Sequence, residues 1–571
     1  MILATNVRNP AEPTPAGGEV TPAEMAGMGY GGVVLFETIA LLGLTDPDAA
    51  PDAETRRWAE HLGAEVDAKV ADAEAAGLGV WLCVDAPALP VWRVRARPDR
   101  FTCRRRADVL CPAREATTAA CVAAGMEVLD RWPSAEGLVL RLGDSDVGKI
   151  PHLLGSDAYA PRCGRCEPMG PAARVLELTR AFHAAVVGRR GKKLILRGRN
   201  LGDGLMHEDP AVAAEVAAGL PGDPGDPGDL DGPGDPGDPG GGSMILAFKH
   251  TAGDFRRDRS WNASAYACGR WPVLFELQCQ REYEGKGGVP DWQLPLWVHG
   301  DPHAPPLRVD GELVPGGLLE ARRRLNLAGV LSWVRGGGWG GPFVADPSWI
   351  DANAWAVPRA FEAPLRGEED PAAGLADAWA RERLGLGPEA AAAVAEVLEA
   401  SPEMVRQAFY FRAECAPGPG DTGAGPATSR WVSDDLVDVG KLARVIDRLP
   451  GDRLDAAVAA KAEAAATATA LRLRLQEAAA AAEPADARRL KPLAATLVYT
   501  ESLFRCFHHL TAGLVARRRH REDPAAAGGE AATRLLQAAV SDWLHHTQRH
   551  ANAVGSATAF REVGLFELVG G

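Results

Sequence analysis

Eight short, continuously apolar runs mark the first 340 residues, and they constrain the fold more than any other feature of the chain. They are Met1–Thr5, Gly32–Glu37, Val80–Asp85, Gly137–Leu142, Lys193–Arg197, Met244–Lys249, Val273–Gln278 and Gly329–Val334. Runs that are apolar throughout, rather than at every second position, are expected of strands buried on both faces of a parallel sheet. Between several of them, as in Glu54–Ala76 and Glu115–Trp132, apolar residues recur at three- and four-residue spacing, the pattern of a helix with one buried face. This alternation predicts an α/β chain, a (β/α)8 barrel with long loops over residues 1–365. A doubly wound sheet is the other arrangement the pattern allows.

Past residue 365 the pattern changes. Asp370-Pro371 reads as a helix start, an N-cap followed by proline. Pro388–Ala400, Asp434–Leu449, Asp452–Ala482, Pro492–Arg519 and Glu530–Val554 are helix-like and rich in Ala or Leu. Residues 366–571 are therefore expected to form an all-helical domain without strands before the last few residues. Its helices offer a surface for a homodimer. His546 and His550 stand four apart on one of these helices, but without a third ligand they read as packed histidines. Arg517–Arg521 reads as a basic last helical turn, which the helix dipole favours.

Composition narrows the function. Asp and Glu outnumber Lys and Arg by 76 to 62, a net charge of -14, so duplex nucleic acid is not an expected partner. No apolar run reaches the ~18 residues a membrane helix needs. The N-terminus lacks the features of a signal peptide, which makes the cytoplasm the default expectation, although an upstream segment is compatible with a chain that opens on a strand. Pro221–Gly242 carries six Asp and one apolar side chain, Leu230, and is expected to be a disordered surface loop. It is too short for a collagen triple helix. Of ten cysteines only Cys163 and Cys166 have metal or redox spacing. With no further ligands evident beside them, they read as a loop with two thiols, and no metal or cofactor is expected.

In a (β/α)8 barrel the site lies at the C-terminal ends of the strands. The residues closing the apolar runs are rich in charge: Glu37, Asp85, Arg141, Asp144, Asp146, Arg197, Arg199, Lys249, Asp254, Glu282, Glu284 and Arg335. Carboxylates mixed with cations and Trp suit glycoside hydrolysis, in which one acid protonates the leaving oxygen and a second carboxylate activates water or attacks. Trp333 and Trp339 flank a Gly-rich turn that lets a ligand approach the backbone.

These residues resemble a family. Lys249-His-Thr-Ala-Gly-Asp254-Phe255, with Gln280-Arg-Glu282-Tyr283-Glu-Gly285, is similar to the catalytic cluster of the α-glucuronidases of glycoside hydrolase family 67. As in that family, Lys249 lies five residues before Asp254, and Glu282 follows 28 residues later. Leu194–Arg197 resembles the family's strand ending in an Arg that grips the uronate carboxylate. Gly329–Phe343, Asn353-Ala-Trp355, Phe361 and Leu375–Trp379 resemble its last barrel strand and passage into the helical domain. The resemblance implies an inverting α-glucuronidase-like enzyme acting on uronic-acid-bearing oligosaccharides. It gives Asp254 and Glu282 the activation of water, and Lys249, Arg197, Tyr283, Trp333 and Trp339 the binding of substrate.

The chain departs from the family in three places. The family's N-terminal β-domain is not in this sequence. The Asp-Pro-Gly insert separates Arg197 from Lys249. Where the family carries a general-acid Glu, the tract Gly137–Asp146 has only Asp144 or Asp146, whose shorter side chain retracts the proton; such a misplacement can cost ~10²-fold. The resemblance puts Asp144 in the acid role. The lost Glu also raises the alternative of a non-catalytic carbohydrate-binding protein on the same barrel. A helical partner-binding scaffold is a third reading, which leaves the charged strand ends unexplained.

Overall fold

In a computed structural model the runs above become a closed barrel of eight parallel strands. The structure describes residues 1–7, 18–44, 51–103, 106–142, 150–155, 163–198, 205–222, 243–336, 348–362, 370–411, 431–433, 436–524, 528–550 and 561–570. The barrel strands are β1 (Ile2–Val7), β2 (Gly32–Leu35), β3 (Gly79–Ala86), β4 (Gly137–Leu142), β5 (Lys193–Arg197), β6 (Met244–Lys249), β7 (Val273–Gln278) and β8 (Leu327–Gly336). Each pairs with its sequence neighbours, and β8 closes on β1, with Ile2 opposite Val330 and Thr5 opposite Trp333. This is the (β/α)8 arrangement, and the doubly wound alternative falls because both sheet edges are paired.

Glycines let the strand starts approach one another. A Cβ at Gly137 would overlap the Lys193 carbonyl oxygen, and one at Gly329 would overlap that of Met1. Both positions therefore exclude any side chain. Every residue of β4, β6 and β7 is buried, on the inner and outer faces alike.

After the barrel the chain is mainly helical, with long helices Pro388–Phe409, Leu454–Ala481, Pro484–Glu522 and Gly529–His550 packed in succession. Aromatic rings fill their interior, with Trp431 and Phe507 4.8 Å apart between centroids. Three expectations change here. A small sheet of Val432–Ser433, Leu436–Asp438 and Arg561–Val563 interrupts the helices. Asp370 caps a turn through the Ala372 amide, and the helix begins only at Leu375. Pro402 and Pro492 lie inside helices rather than at their ends. The helical part abuts the barrel: Trp349 Nε1 donates to Thr496 Oγ1 at 2.7 Å, and Arg257 donates to the Pro402 carbonyl at 2.6 Å. Among the described residues no helix is long and apolar enough to cross a membrane. The Asp-Pro-Gly tract from 223 to 242 lies outside the described residues.

Candidate active site

The C-terminal ends of β3 to β8 fill the barrel mouth with charge. On the floor, the register sets Arg141 of β4 beside both Asp85 of β3 and Arg197 of β5. Arg141 pairs with Asp85 at 2.9 Å. Arg197 pairs with Glu276 of β7 at 2.6 Å, and the Trp333 indole donates to the other oxygen of Glu276 at 3.0 Å. Glu276 is 0% exposed and Arg197 2%, so each charge depends on the other. The Phe36 ring lies under both guanidinium groups, 5.1 Å from Arg141 and 5.9 Å from Arg197.

Above this floor stands the cluster at the end of β6. The Lys249 ammonium bonds Asp254, and the Tyr283 hydroxyl donates to the other Asp254 oxygen. Lys249 also lies 5.1 Å from the Phe255 ring and 5.6 Å from that of Trp333. Burial opposes charge on Asp254, but the Lys249 ammonium and the two hydrogen bonds prevail and hold its carboxyl well below the usual carboxylate range. Burial pushes the Tyr283 phenol well up, and the charges of Asp254 and Glu282 add to the effect. Tyr283 thus remains a hydrogen-bond donor, and it ties the loop after β7 to the loop after β6.

These two loops also hold most of the backbone strain. Of five non-glycine residues with positive φ among the described residues, four lie here: Asp254 (58°), Phe255 (67°), Arg281 (55°) and Lys286 (49°). Such conformations cost ~1–3 kcal/mol each and persist where the surroundings over-determine them, commonly at functional sites. The surroundings supply that support. Arg281 donates to the Phe255 carbonyl at 3.0 Å and to Glu284 at 2.7 Å. Tyr410, from the end of the helix Pro388–Phe409, also donates to Glu284. The Glu282 amide donates to the Gln278 side chain at 3.0 Å, and Glu282 itself is buried. The Arg256 guanidinium lies 4.3 Å over the Tyr283 ring.

Lys249, Asp254 and Tyr283 are thus brought together, with Trp333 and Arg197 beneath them. Glu282 sits next to Tyr283 on the same loop. Asp144, its alternative Asp146, and Trp339 lie outside the described residues. Two of the strand-end charges turn elsewhere. Glu37 meets Lys69 of the outer helix Ala53–Ala75, and Arg335 meets Asp351 at 2.7 Å. Glu276 is a member of the site that sequence reasoning misses. Its signal is a carboxylate inside the otherwise apolar run Val273–Gln278, where only a buried partner makes it tolerable.

A neutral histidine backs the cluster. His207 is fully buried, and burial together with Lys249 pushes its pKa down to about 3. Its ring nitrogen lies 3.1 Å from the Thr251 carbonyl. In the helical part, His546 and His550 both face the Ser502 hydroxyl, at 2.7 and 3.3 Å, as packed histidines do. A cleft of about 450 Å³ lies among the helices, lined by Gln407, Tyr410 and Phe411.

No family model matches the chain, and no curated protein matches its sequence. The family 67 resemblance therefore rests on the residues quoted for it. Among solved structures the chain is similar to a GH138 enzyme targeting pectin rhamnogalacturonan II, with TM-score 0.49 and 11% identity over 98% of this chain. The alignment spans 63% of that enzyme's length. It is also similar to a Thermobaculum terrenum O-GlcNAc hydrolase mutant, with TM-score 0.38 and 10% identity over 94% of this chain and 86% of that one. For CpGH84B the TM-score is 0.35, with 9% identity over 95% of this chain and 74% of that one.

Proposed function

We propose that the chain is a glycoside hydrolase that cleaves uronic-acid-bearing oligosaccharides with inversion, in the manner of an α-glucuronidase. The observation that carries this reading is the Lys249–Asp254–Tyr283 cluster at the mouth of a closed barrel, held by strained loops over a floor of paired charges. Asp254 and Glu282 activate water, and Asp144 is the acid. An inverting mechanism separates acid from base by about 6.5–9.5 Å to admit that water. Lys249 and Arg197 receive the substrate carboxylate, and Tyr283, Trp333 and Trp339 contact the sugar.

Lys249 then has two partners in turn. Without substrate it neutralises Asp254. A uronate carboxylate arriving at Lys249 draws the ammonium away, and Asp254 becomes a better proton acceptor at the moment water must be deprotonated. On this reading residues 1–365 carry the reaction, and the helical residues 366–571 brace the loop after β7 through Tyr410.

The test is a panel of uronic-acid oligosaccharides, scored for released uronate and for the anomer first formed. Asp254→Asn and Glu282→Gln are each expected to lower turnover by ~10²–10⁴-fold while binding stays near wild type. Lys249→Ala is expected to weaken binding as well, since it strips a cation from an anionic ligand in a partly dry site. Asp144→Glu restores the longer acid and is expected to hold or raise activity. Binding without turnover, before and after Asp144→Glu, would favour the non-catalytic carbohydrate-binding reading. Absence of both binding and turnover would overturn the carbohydrate reading.

A further inference from the structure

We propose that Cys103, Cys111, Cys163 and Cys166 form a tetrathiolate site for a tetrahedral divalent metal ion of the zinc class. The four sulfur atoms lie within 4.8 Å of one another and all four side chains are buried. The Sγ–Sγ distances are 3.7 Å for Cys163–Cys166, 3.8 Å for Cys111–Cys163 and 4.0 Å for Cys103–Cys166. Zinc–thiolate bonds of about 2.3 Å in a tetrahedron set the sulfurs about 3.8 Å apart, so these spacings suit one ion at the centre. A disulfide needs sulfurs at about 2.05 Å in pairs, whereas here Cys163 approaches two different partners almost equally.

The cysteines that only fill space behave differently. Cys83, Cys121, Cys268, Cys279 and Cys506 belong to the main apolar core. The four clustered thiols form a separate cluster, against which, among the described residues, the partly buried hydrophobics Val109 and Ala113 pack. Two chain segments build it. Cys103 and Cys111 come from the hairpin of Thr102–Cys103 and Arg106–Leu110, which the Cys111 amide closes on the Phe101 carbonyl at 2.9 Å. Cys163 and Cys166 occupy a turn in which the Glu167 amide donates to the Cys163 carbonyl at 2.8 Å.

Guanidinium groups stand ready to offset the charge. Four thiolates around a divalent ion leave a net charge of about -2, which needs cationic or hydrogen-bonding neighbours when buried. Arg174, 2% exposed, donates to the Cys166 carbonyl at 3.2 Å, and Arg114 donates to the Thr102 carbonyl at 2.8 Å. The sequence reading of Cys163 and Cys166 as an isolated pair is thereby revised. Their missing partners lie more than 50 positions upstream, and only the fold unites them.

Four protein ligands leave no open position, so the ion is structural rather than catalytic. Its place in the fold gives it a task. Cys103 and Cys111 lie in the loop after β3, and Cys163 and Cys166 in the loop after β4. The same loops are paired once more, where Ala88–Pro90 runs antiparallel to Leu153–Gly155. The ion fastens together the two loops on this side of the mouth, including the one whose sequence carries Asp144. Binding forms four metal–sulfur bonds and releases the thiol protons to solvent, with no change of oxidation state.

The full chain purified under reducing conditions, without added chelator, is expected to hold about one zinc per chain by elemental analysis. After chelation and refilling with Co(II), it should show an intense sulfur-to-cobalt charge-transfer band with the visible bands of tetrahedral cobalt. Cys103→Ser and Cys166→Ser should lower bound zinc at least tenfold, while Cys121→Ser in the main core leaves it unchanged. The wild-type measurements decide the matter even if a variant fails to fold. A chain that takes up neither zinc nor cobalt overturns the proposal, whether its four cysteines titrate as free thiols or its mass shows two disulfides.

Discussion

The barrel mouth and the helical region both bury ionisable side chains, but in different proportions of paired charge and neutral base. At the mouth the buried charges stand in opposite pairs: Asp85 with Arg141, Glu276 with Arg197, Asp254 with Lys249. In the helical region three buried bases are pushed toward the neutral form. Lys461 donates to the carbonyls of Gln407 and Tyr410, each at 2.6 Å, and burial, aided by the nearby Arg406 charge, pushes its pKa well down. His546 and His550 are pushed down to about 3 and about 4, chiefly by burial. A region that suppresses charge uses those groups as hydrogen-bonding core. A region that keeps charge at the cost of desolvation holds a field in place, and a field is what an ionic substrate or a charged transition state requires.

Substitution of one partner in each region tests the contrast most severely. Glu276→Gln removes the charge that Arg197 answers to, and breaking a fully buried ion pair typically costs about 3–5 kcal/mol. Lys461→Met leaves two carbonyls short of a donor, for which about 1–3 kcal/mol is expected. Urea unfolding of both variants at neutral pH makes the comparison. Equal losses would mean that the two regions do not differ in the way their buried groups are held.

The barrel is legible in the sequence because a strand buried on both faces must be apolar throughout. Four runs, at Gly137, Lys193, Met244 and Val273, match the observed strands residue for residue. The helices are less legible. Pro492 suggests a start because proline lacks the amide a helix interior uses, yet the helix runs from Pro484 to Glu522. Its buried face, Leu490, Leu493, Leu497 and onward, supplies packing that outweighs one missing bond. At the mouth, Lys249 and Asp254 are marked as charges at a strand end, and the resemblance to family 67 adds Tyr283. Glu276 and the cysteine cluster are not, since each depends on contacts between distant segments that no local pattern encodes.

Titration tests the neutral bases of the helical region with a smaller effect. His546 has an ordinary pKa of 6.5 and a folded value of about 3. Below pH 6.5 the unfolded chain therefore binds a proton that the folded chain refuses. The stability present above pH 6.5 is lost as pH falls through the interval down to the folded value. At pH 5 the loss from this histidine amounts to about 2 kcal/mol, at ~1.4 kcal/mol per pH unit. His546→Gln keeps a hydrogen-bonding partner for Ser502 but does not titrate, so its unfolding free energy should fall less than that of wild type between pH 7 and pH 5. At the mouth His207, pushed down to about 3 by burial and Lys249, should respond in the same way, and only the paired charges should differ. Asp254 is depressed from an ordinary value of 3.8, so its contribution persists until pH falls below about 4. Parallel pH profiles for wild type and His546→Gln would contradict the neutral-core reading of the helical region.

The smallest effect is expected between the two strands that supply Arg197 and Lys249. β5 and β6 are neighbours in register, with Met244 opposite Leu194 and Ala247 opposite Arg197. The Leu194 amide donates to the Ser243 carbonyl at 2.9 Å, so the ladder already begins at the first described residue after the insert. On the other side, the helix Pro210–Gly219 ends with the Leu220 amide bound to Ala217, and the Trp271 indole donates to the same carbonyl at 2.9 Å. Both flanks are therefore held by their own contacts. The residues from 223 to 242 add a single apolar side chain, Leu230, and loop length enters stability only as a logarithm, about 0.6 kcal/mol per doubling. Replacing this stretch with a linker of about five residues, two halvings of its length, should shift unfolding free energy by about 1 kcal/mol in the stabilising direction and, on the proposed function, leave oligosaccharide binding unchanged. A loss of several kcal/mol, or of binding alone, would mean that the insert takes part in holding Arg197 and Lys249 at their spacing, and the mouth would then owe part of its geometry to a segment with almost no apolar surface.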